Sequence, residues 1–336
     1  MKNKKILLAN SLLLLALLLF ILVPYWTIKI FELARPINGN VSLLLSGSAS
    51  VIALGGIALL YCIITKRKFK NVMVIKKIST KQVYLTIFVS FGTYIFAMGI
   101  NSISMKLFPV AIKDSTQISN LLSSSTTLLG LLVVVLLPAF FEEIFFRGIF
   151  LDAYEGVNKK IKYFIITAVF AAFHGNVMQI IYVMFLGIVL LMVREYTGSI
   201  VGSMTLHAAN NAISFILSKV LMNYMNTGLE SSVSKSAQQA NVSYVAVLLQ
   251  ASIFFLLGGA ILYKNLRKLK EYKDADIRAK GIELGETNDS LKYVARDEEY
   301  MVICGETNSG KVAGLTKYIP LVIYFVSMAQ LVLRKY

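Results

Sequence analysis

The chain has 336 residues, 57% of them hydrophobic, and a formal net charge of +16. A soluble globular domain is about 45–50% apolar and lacks repeated long apolar runs, so the composition excludes an ordinary soluble fold. So basic a chain could bind nucleic acid, but its lysines and arginines cluster in short segments between apolar runs. That pattern is typical of the cytoplasmic loops of membrane proteins, and we expect no nucleic-acid partner.

Nine apolar runs follow one another along the chain. They cover residues 6–23, 43–64, 82–104, 123–141, 161–173, 177–193, 199–222, 243–263 and 318–333. Most reach or approach the roughly 20 residues that cross about 30 Å of hydrocarbon. In lipid, backbone groups must be satisfied within the segment, which favours helices over strands. The predicted fold is therefore all-α, a polytopic transmembrane helix bundle of eight good spans and a shorter ninth at the C-terminus.

The first apolar run follows the basic stretch MKNKK and resembles a signal peptide. It is long for one, and the PYWTIKIF that follows offers no small-residue cleavage site, so we interpret it as a retained first span. With the N-terminus inside, the basic segments 66–81, 141–162 and 264–317 all fall on the same side. Since such segments stay cytoplasmic, the chain is predicted to be a multi-pass cell-membrane protein with a cytoplasmic N-terminus.

Acidic residues and histidines within the apolar runs are distributed unevenly along the chain. Three spans at 1–120 contain no acid or histidine and are predicted to be a scaffold, whereas the unusual residues lie at 121–222, the predicted catalytic core. The remaining segments are an outer loop with the eighth span at 223–264, a charged cytoplasmic segment at 265–317, and the candidate ninth span at 318–336.

One stretch of the charged segment imitates a phosphate-binding loop. Residues Gly305–Lys311 read GETNSGK, but Val312 stands where a Ser or Thr would bind magnesium. The motif also requires a flanking buried strand and long helix, and neither is evident. Nucleotide binding is therefore not expected.

Two adjacent acids, Glu142 and Glu143, interrupt an otherwise apolar run. Acids at bilayer depth cost about 2.5–3.5 kcal/mol on insertion scales and are functional candidates by default. Arg147 lies one turn after Glu143 and could pair with it, while Glu142, about 100° around the helix, would remain available. Pro138 is expected to kink this helix and free a carbonyl. The alternative interpretation is a helix end at the interface, with both acids in water.

The chain has only two histidines, His174 and His207, and each lies in an apolar run of the same region. Asn211 follows His207 by one helical turn. From the inner ends of their spans, Glu142, His174 and His207 would lie roughly 12, 20 and 12 Å deep. We therefore expect them to meet in the cytoplasmic half of the bilayer.

These residue types favour hydrolysis by water over nucleophilic catalysis, because no embedded Ser–His pair with an orienting Asp is present. A carboxylate with a histidine can activate water, and a second histidine and an asparagine can donate to an oxyanion. Alternatively, Glu142, His174 and His207 could hold zinc with an open water position. Both routes lead to amide hydrolysis, and the sequence leaves them open; no cofactor is certain, and zinc is the alternative.

Three motifs in order resemble those of the CPBP intramembrane proteases, the family that includes CAAX prenyl endopeptidases and bacterial Abi proteins. FEEIFFRG resembles the family's EExxxR motif, Phe170–His174 (FAAFH) its FxxxH motif, and His207–Asn211 (HAANN) its HxxxN motif. The resemblance covers 121–222. It implies a bacterial setting and a bracing or substrate-binding role for Glu143 and Arg147.

The resemblance also implies separate catalytic roles. Glu142 with His174 would activate the hydrolytic water, and His207 with Asn211 would stabilise the oxyanion. The family has been described both as metalloproteases and as metal-independent glutamate-type proteases. The resulting hypothesis is an intramembrane endopeptidase, a hydrolase acting on a membrane-associated peptide or protein.

Two alternatives belong to other classes. Embedded acids and histidines also serve proton relays in transporters, although the internal repeat and matching broken helices of many transporters are not evident. A non-catalytic immunity factor or scaffold that retains the family's fold is the other alternative.

Overall fold

The computed structural model describes residues 2–34, 38–109, 125–226, 243–283 and 315–333, and within these ranges it contains helices and turns but no strand. The all-α prediction is confirmed. The Gly305–Lys311 stretch and most of the charged segment lie outside the described residues, as do most of the two long loops that precede α5 and α9. The helices are α1 Lys2–Ala34, α2 Gly39–Thr65, α3 Phe69–Met73, α4 Thr80–Leu107, α5 Thr127–Ala153, α6 Lys159–Phe173, α7 Val177–Thr197, α8 Ile200–Asn226, α9 Tyr244–Glu283 and α10 Ile319–Leu333.

Eight of the described helices are long and apolar enough to cross a membrane, which confirms a multi-pass membrane protein. The assignment differs from expectation at two places. The run at 161–173 forms α6, which has 15 residues and is shorter than the roughly 20 that span a bilayer. The C-terminal run extends to Thr316–Leu333, 18 residues, and is a candidate span.

Ion pairs gather the basic segments at one end of the bundle, which we call the basic end. Asp152 of α5 pairs with Arg67, just after α2. Glu195, near the end of α7, pairs with Lys159 of α6 at 2.8 Å and with Lys273 of α9 at 3.5 Å. The predicted grouping of the basic loops is thus present in the fold; the membrane side that they face stays a prediction.

The start of α5 lies at the opposite end. The Thr126 amide donates to the Asn40 side chain at 2.9 Å, and the Lys219 ammonium donates to the Ser125 carbonyl at 2.6 Å. α5 therefore runs from this end towards the basic end, whereas α8 runs the other way. Residues in the middle of both helices can meet.

α5 is not a uniform helix. Wider π-helical turns occupy Leu131–Leu136 and Glu143–Phe150, on either side of the turn that contains Pro138. π-Helical turns are rare and frequent at functional sites. Every residue of the second stretch is buried, because α5 is enclosed by α2, α6 and α8. Glu142 and Glu143 are therefore inside the bundle and not at a water interface.

Two scaffold helices, α4 and α9, pack with their backbones in close contact. A Cβ added at Gly258 of α9 would lie 2.5 Å from the Phe96 nitrogen and 2.8 Å from the Gly92 oxygen of α4. Small residues allow such an approach between membrane helices. Since α4 also packs against α7 and α8, this contact braces the helices that carry the site.

Candidate active site

A buried ion pair lies at the centre of the bundle. The Arg147 Nη1 donates to Glu143 Oε1 at 3.0 Å, and both side chains have no solvent exposure. The predicted pairing is confirmed. Arg147 also donates through Nη2 to the Gly187 carbonyl of α7 at 3.3 Å, and its guanidinium lies 4.2 Å from the ring centre of Phe170 in α6. These contacts offset the high cost of burying two charges and connect α5 to α6 and α7.

His207 of α8 lies between the two adjacent carboxylates. Its Nδ1 is 2.9 Å from Glu143 Oε1, and its Nε2 is 3.9 Å from Glu142 Oε2. We assign the proton of the neutral ring to Nδ1, because a carboxylate can only accept. Glu143 thereby fixes the orientation of the imidazole and directs Nε2 towards Glu142.

Glu142 has the free carboxylate of the site. Its Oε2 is buried and has no hydrogen-bond partner among the described residues. A separation of 3.9 Å from the imidazole is too long for a hydrogen bond, but a molecule of water about 2.8 Å from both atoms would bond to them at an angle of about 90°. We expected Glu142 to lie apart from Glu143; instead both carboxylates border one imidazole, where the helix widens at Glu143.

His174 lies at the end of α6 and is partly buried. Its Nδ1 is 2.9 Å from the Phe170 carbonyl, and its ring is 4.9 Å from the Phe170 ring, which in turn is 6.0 Å from the ring of His207. Phe170 thus separates the two histidines. The described contacts of His174 do not include Glu142, and their joint action on water stays a prediction.

Asn211 is hydrogen-bonded to α5. Its Nδ2 donates to the Val134 carbonyl at 3.3 Å. Val134 precedes Pro138 by four residues, and proline has no N–H to give to the preceding turn. The freed carbonyl predicted from Pro138 is therefore accounted for, and its partner is a residue for which we predicted a catalytic role. The bond ties α8 to α5 one turn from His207.

One residue of the site was missed from the sequence. Arg194 of α7 is 9% exposed and donates through Nη2 to the Met73 carbonyl at 3.4 Å, and its charge interacts with Glu143. Its position beside Glu195 and Tyr196, at the end of an apolar run, is typical of a helix reaching water. Its buried guanidinium instead meets the carbonyl of Met73, the last residue of α3.

The described residues do not provide the set of ligands that the zinc alternative requires. Within the described part of the chain, no three His, Cys, Asp or Glu side chains form a group that could hold a metal ion. Glu142, His174 and His207 therefore do not converge as zinc ligands in this conformation, and we derive no step through a metal.

These features define a multi-pass membrane protein with a buried acid–histidine–arginine centre. Residues 124–213 match the family described as Type II CAAX prenyl endopeptidase Rce1-like. Over these residues the chain is therefore similar to a family of membrane peptidases, as the resemblance in its motifs predicted. Comparison with curated proteins and with solved structures gives no match. The matched region contains α5, α6, α7 and the first half of α8, and with them every residue of the site.

Proposed function

We propose that this protein is an intramembrane endopeptidase that hydrolyses a peptide bond in a membrane-associated peptide or protein. One observation carries the proposal. The buried Oε2 of Glu142 lacks a hydrogen-bond partner among the described residues and lies 3.9 Å from the Nε2 of an imidazole whose other nitrogen is held by Glu143. The family domain supports the same class of reaction.

In the proposed reaction Glu142, assisted by His174, takes a proton from water as the water oxygen attacks the peptide carbonyl carbon. The carbonyl oxygen becomes an oxyanion, which accepts hydrogen bonds from His207 and Asn211. Glu142 then gives the proton to the leaving nitrogen as the C–N bond breaks. Water is consumed, and a carboxylic acid and an amine are formed, which become a carboxylate and an ammonium ion when the remaining proton passes from the acid to the amine.

Glu143 and Arg147 have a positioning role in this proposal. The Glu143 carboxylate accepts from Nδ1 and holds the ring of His207, while Arg147 neutralises that carboxylate inside the bundle. Nε2 can donate to the oxyanion when the ring carries both protons. A residue at 143 without an acceptor atom would remove the bond that holds the ring.

We also propose that the basic end lies in the cytoplasm, with the N-terminus, and that the protein belongs to the cell membrane. The site is nearer to this end. His207 follows the first residue of α8, Ile200, by seven positions, which is about 10 Å of helix. Substrate would then enter from the cytoplasmic leaflet. The family's name refers to prenylated CAAX substrates; for this chain we propose the broader class of membrane-associated peptides and proteins.

The test identifies the N- and C-termini of the membrane-associated proteins in cells that express the wild type, Glu142→Gln or Glu155→Gln. Termini that appear only with an active protein mark candidate substrates. Glu155 is exposed just after α5 and receives the same chemical change as a control. Substrates with new termini are then reconstituted with purified protein. We expect Glu142→Gln to cleave about 10²–10⁴-fold more slowly with an unchanged melting temperature, and Glu155→Gln to match the wild type.

Wild-type cleavage by Glu142→Gln would contradict the proposal. Metal analysis of the same preparation tests the zinc alternative. One zinc ion per chain, together with cleavage that stops on chelation and returns with zinc, would replace the metal-independent mechanism but leave the peptidase assignment in place.

A further inference from the structure

A cavity of about 830 Å³ opens at the basic end, beside the segment that joins α3 to α4. It is separate from the buried site, because its walls come from α3, from this segment and from the first turns of α4 and α8. Three of the lining residues are lysines, Lys70, Lys76 and Lys77. So much positive charge around one cavity suits an anion.

The three ammonium groups have no counter-ion among the residues that the structure describes. All three lysines are exposed, and none has a side-chain ion pair, hydrogen bond or ring contact in the described part of the chain. Other lysines at this end are engaged: Lys81 lies over the ring of Tyr272, and Lys273 pairs with Glu195. The cavity therefore holds cations that are available to a ligand.

The rest of the wall is aliphatic. Ile78, Val83 and Val201 line the cavity together with the lysines. α4 begins at Thr80 and α8 at Ile200. The cavity therefore lies beside the first turns of two membrane helices, at the level of lipid headgroups. Basic pockets between membrane helices are suited to anionic headgroups, and their apolar parts to the adjoining acyl chains.

Hydrogen bonds fix the lysine-bearing segment in place. Ser199 Oγ accepts from the Lys76 amide at 3.0 Å and donates to the Lys76 carbonyl at 2.6 Å, and the Ile200 amide donates to the Val74 carbonyl at 3.3 Å. Val74 has a φ of 50°, a left-handed conformation that is unusual for a β-branched residue and costs about 1–3 kcal/mol. The segment that carries Lys76 and Lys77 is thus anchored to α8 next to a backbone conformation that the chain would otherwise avoid.

We propose that this cavity binds the headgroup of an anionic phospholipid, with Lys70, Lys76 and Lys77 around the phosphate and the acyl chains along α4 and α8. This is a lipid site distinct from the peptidase site, and it does not depend on the proposed function.

The first experiment measures binding of short-chain phosphatidylglycerol and phosphatidylcholine to full-length protein in a neutral detergent, by native mass spectrometry. The variant Lys70→Gln/Lys76→Gln/Lys77→Gln is compared with a control that removes the same charge from exposed lysines of α9, Lys264→Gln/Lys268→Gln/Lys270→Gln. We expect phosphatidylglycerol to bind the cavity variant at least about tenfold more weakly and the control with wild-type affinity.

The second experiment uses the wild type, so that its outcome does not depend on the folding of a variant. Acetylation of each lysine is followed by mass spectrometry with and without phosphatidylglycerol. We expect protection of the cavity lysines and not of the three α9 lysines. Equal weakening of both variants, equal protection of both lysine sets, or equal binding of phosphatidylcholine would overturn the proposal. Protection by inorganic phosphate at the same concentration would reassign the cavity to a free anion and overturn the lipid assignment.

Discussion

Removal of the Arg147 guanidinium should strongly destabilise the bundle. Arg147→Met keeps much of the side-chain volume but leaves the fully buried Glu143 carboxylate without its cation at 3.0 Å. Breaking a buried ion pair on one side costs about 3–5 kcal/mol. That range includes the lost hydrogen bond to the Gly187 carbonyl, which alone contributes about 1 kcal/mol.

The double variant Glu143→Gln/Arg147→Met separates the pair's interaction from the effect of lost packing. With the carboxylate gone as well, the second substitution should cost much less than the first, giving a coupling energy of at least about 1.5 kcal/mol. Unfolding is measured by titration of mixed micelles with a denaturing detergent, followed by circular dichroism, for the wild type, both single variants and the double variant. Cleavage should be impaired in all three variants, because each one changes the support of His207.

Arg267→Met is the matched control. Arg267 pairs with Glu271 of α9 at the same i, i+4 spacing and at 2.9 Å, but the two side chains are 64% and 57% exposed. Exposed pairs contribute little to stability, so no measurable change is expected. If Arg147→Met unfolds at the same detergent fraction as Arg267→Met, or if the coupling energy is zero, the reasoning from burial is refuted.

The other predictions concern helix packing. Gly258→Ala places a Cβ 2.5 Å from the backbone of Phe96 and should cost about 1–3 kcal/mol, as overpacking does. Gly259→Ala has its nearest neighbour at 3.9 Å and should be neutral or stabilising by up to about 1 kcal/mol; equal melting temperatures for the two would contradict the close contact. Asn211→Leu leaves the Val134 carbonyl without its partner and should cost about 1–3 kcal/mol in the same unfolding assay, and a wild-type melting temperature would show that the 3.3 Å bond is unimportant.

The proximity of Glu142, Glu143 and His207 could be predicted because charge and imidazole are conspicuous in apolar helices. Glu143 and Arg147 needed only helical spacing to be paired, and the ion pair is present. The hydrogen-bond partners on neighbouring helices could not be predicted from spacing. His207 bonds Glu143 more closely than Glu142, and that choice depends on a widened helical turn which leaves no signature in the sequence.

The burial of polar residues near helix ends could also not be predicted from the sequence. Arg194 stands beside Glu195, and one of the two is buried while the other forms exposed ion pairs. The difference arises because α3, a helix of five residues, folds back so that the Met73 carbonyl meets Arg194. A helix of five residues between two candidate spans has too little apolar pattern to be placed from composition alone.

The wide turns of α5 make the number of residues in that helix as important as their identity. A π-helical turn accommodates an extra residue, and each residue added or removed rotates everything beyond it by about 100°. Glu142 and Glu143 follow the first wide turn, Leu131–Leu136, and border the second. A one-residue deletion inside the first wide turn would therefore be absorbed, because that turn would become regular α-helix. The same deletion in the regular turn between the wide ones, which begins at Leu137, would rotate both acids relative to the start of α5 with every side chain of the centre intact. For chimaeras or alignments of such chains, a gap in that regular turn is equivalent to a substitution in the centre itself.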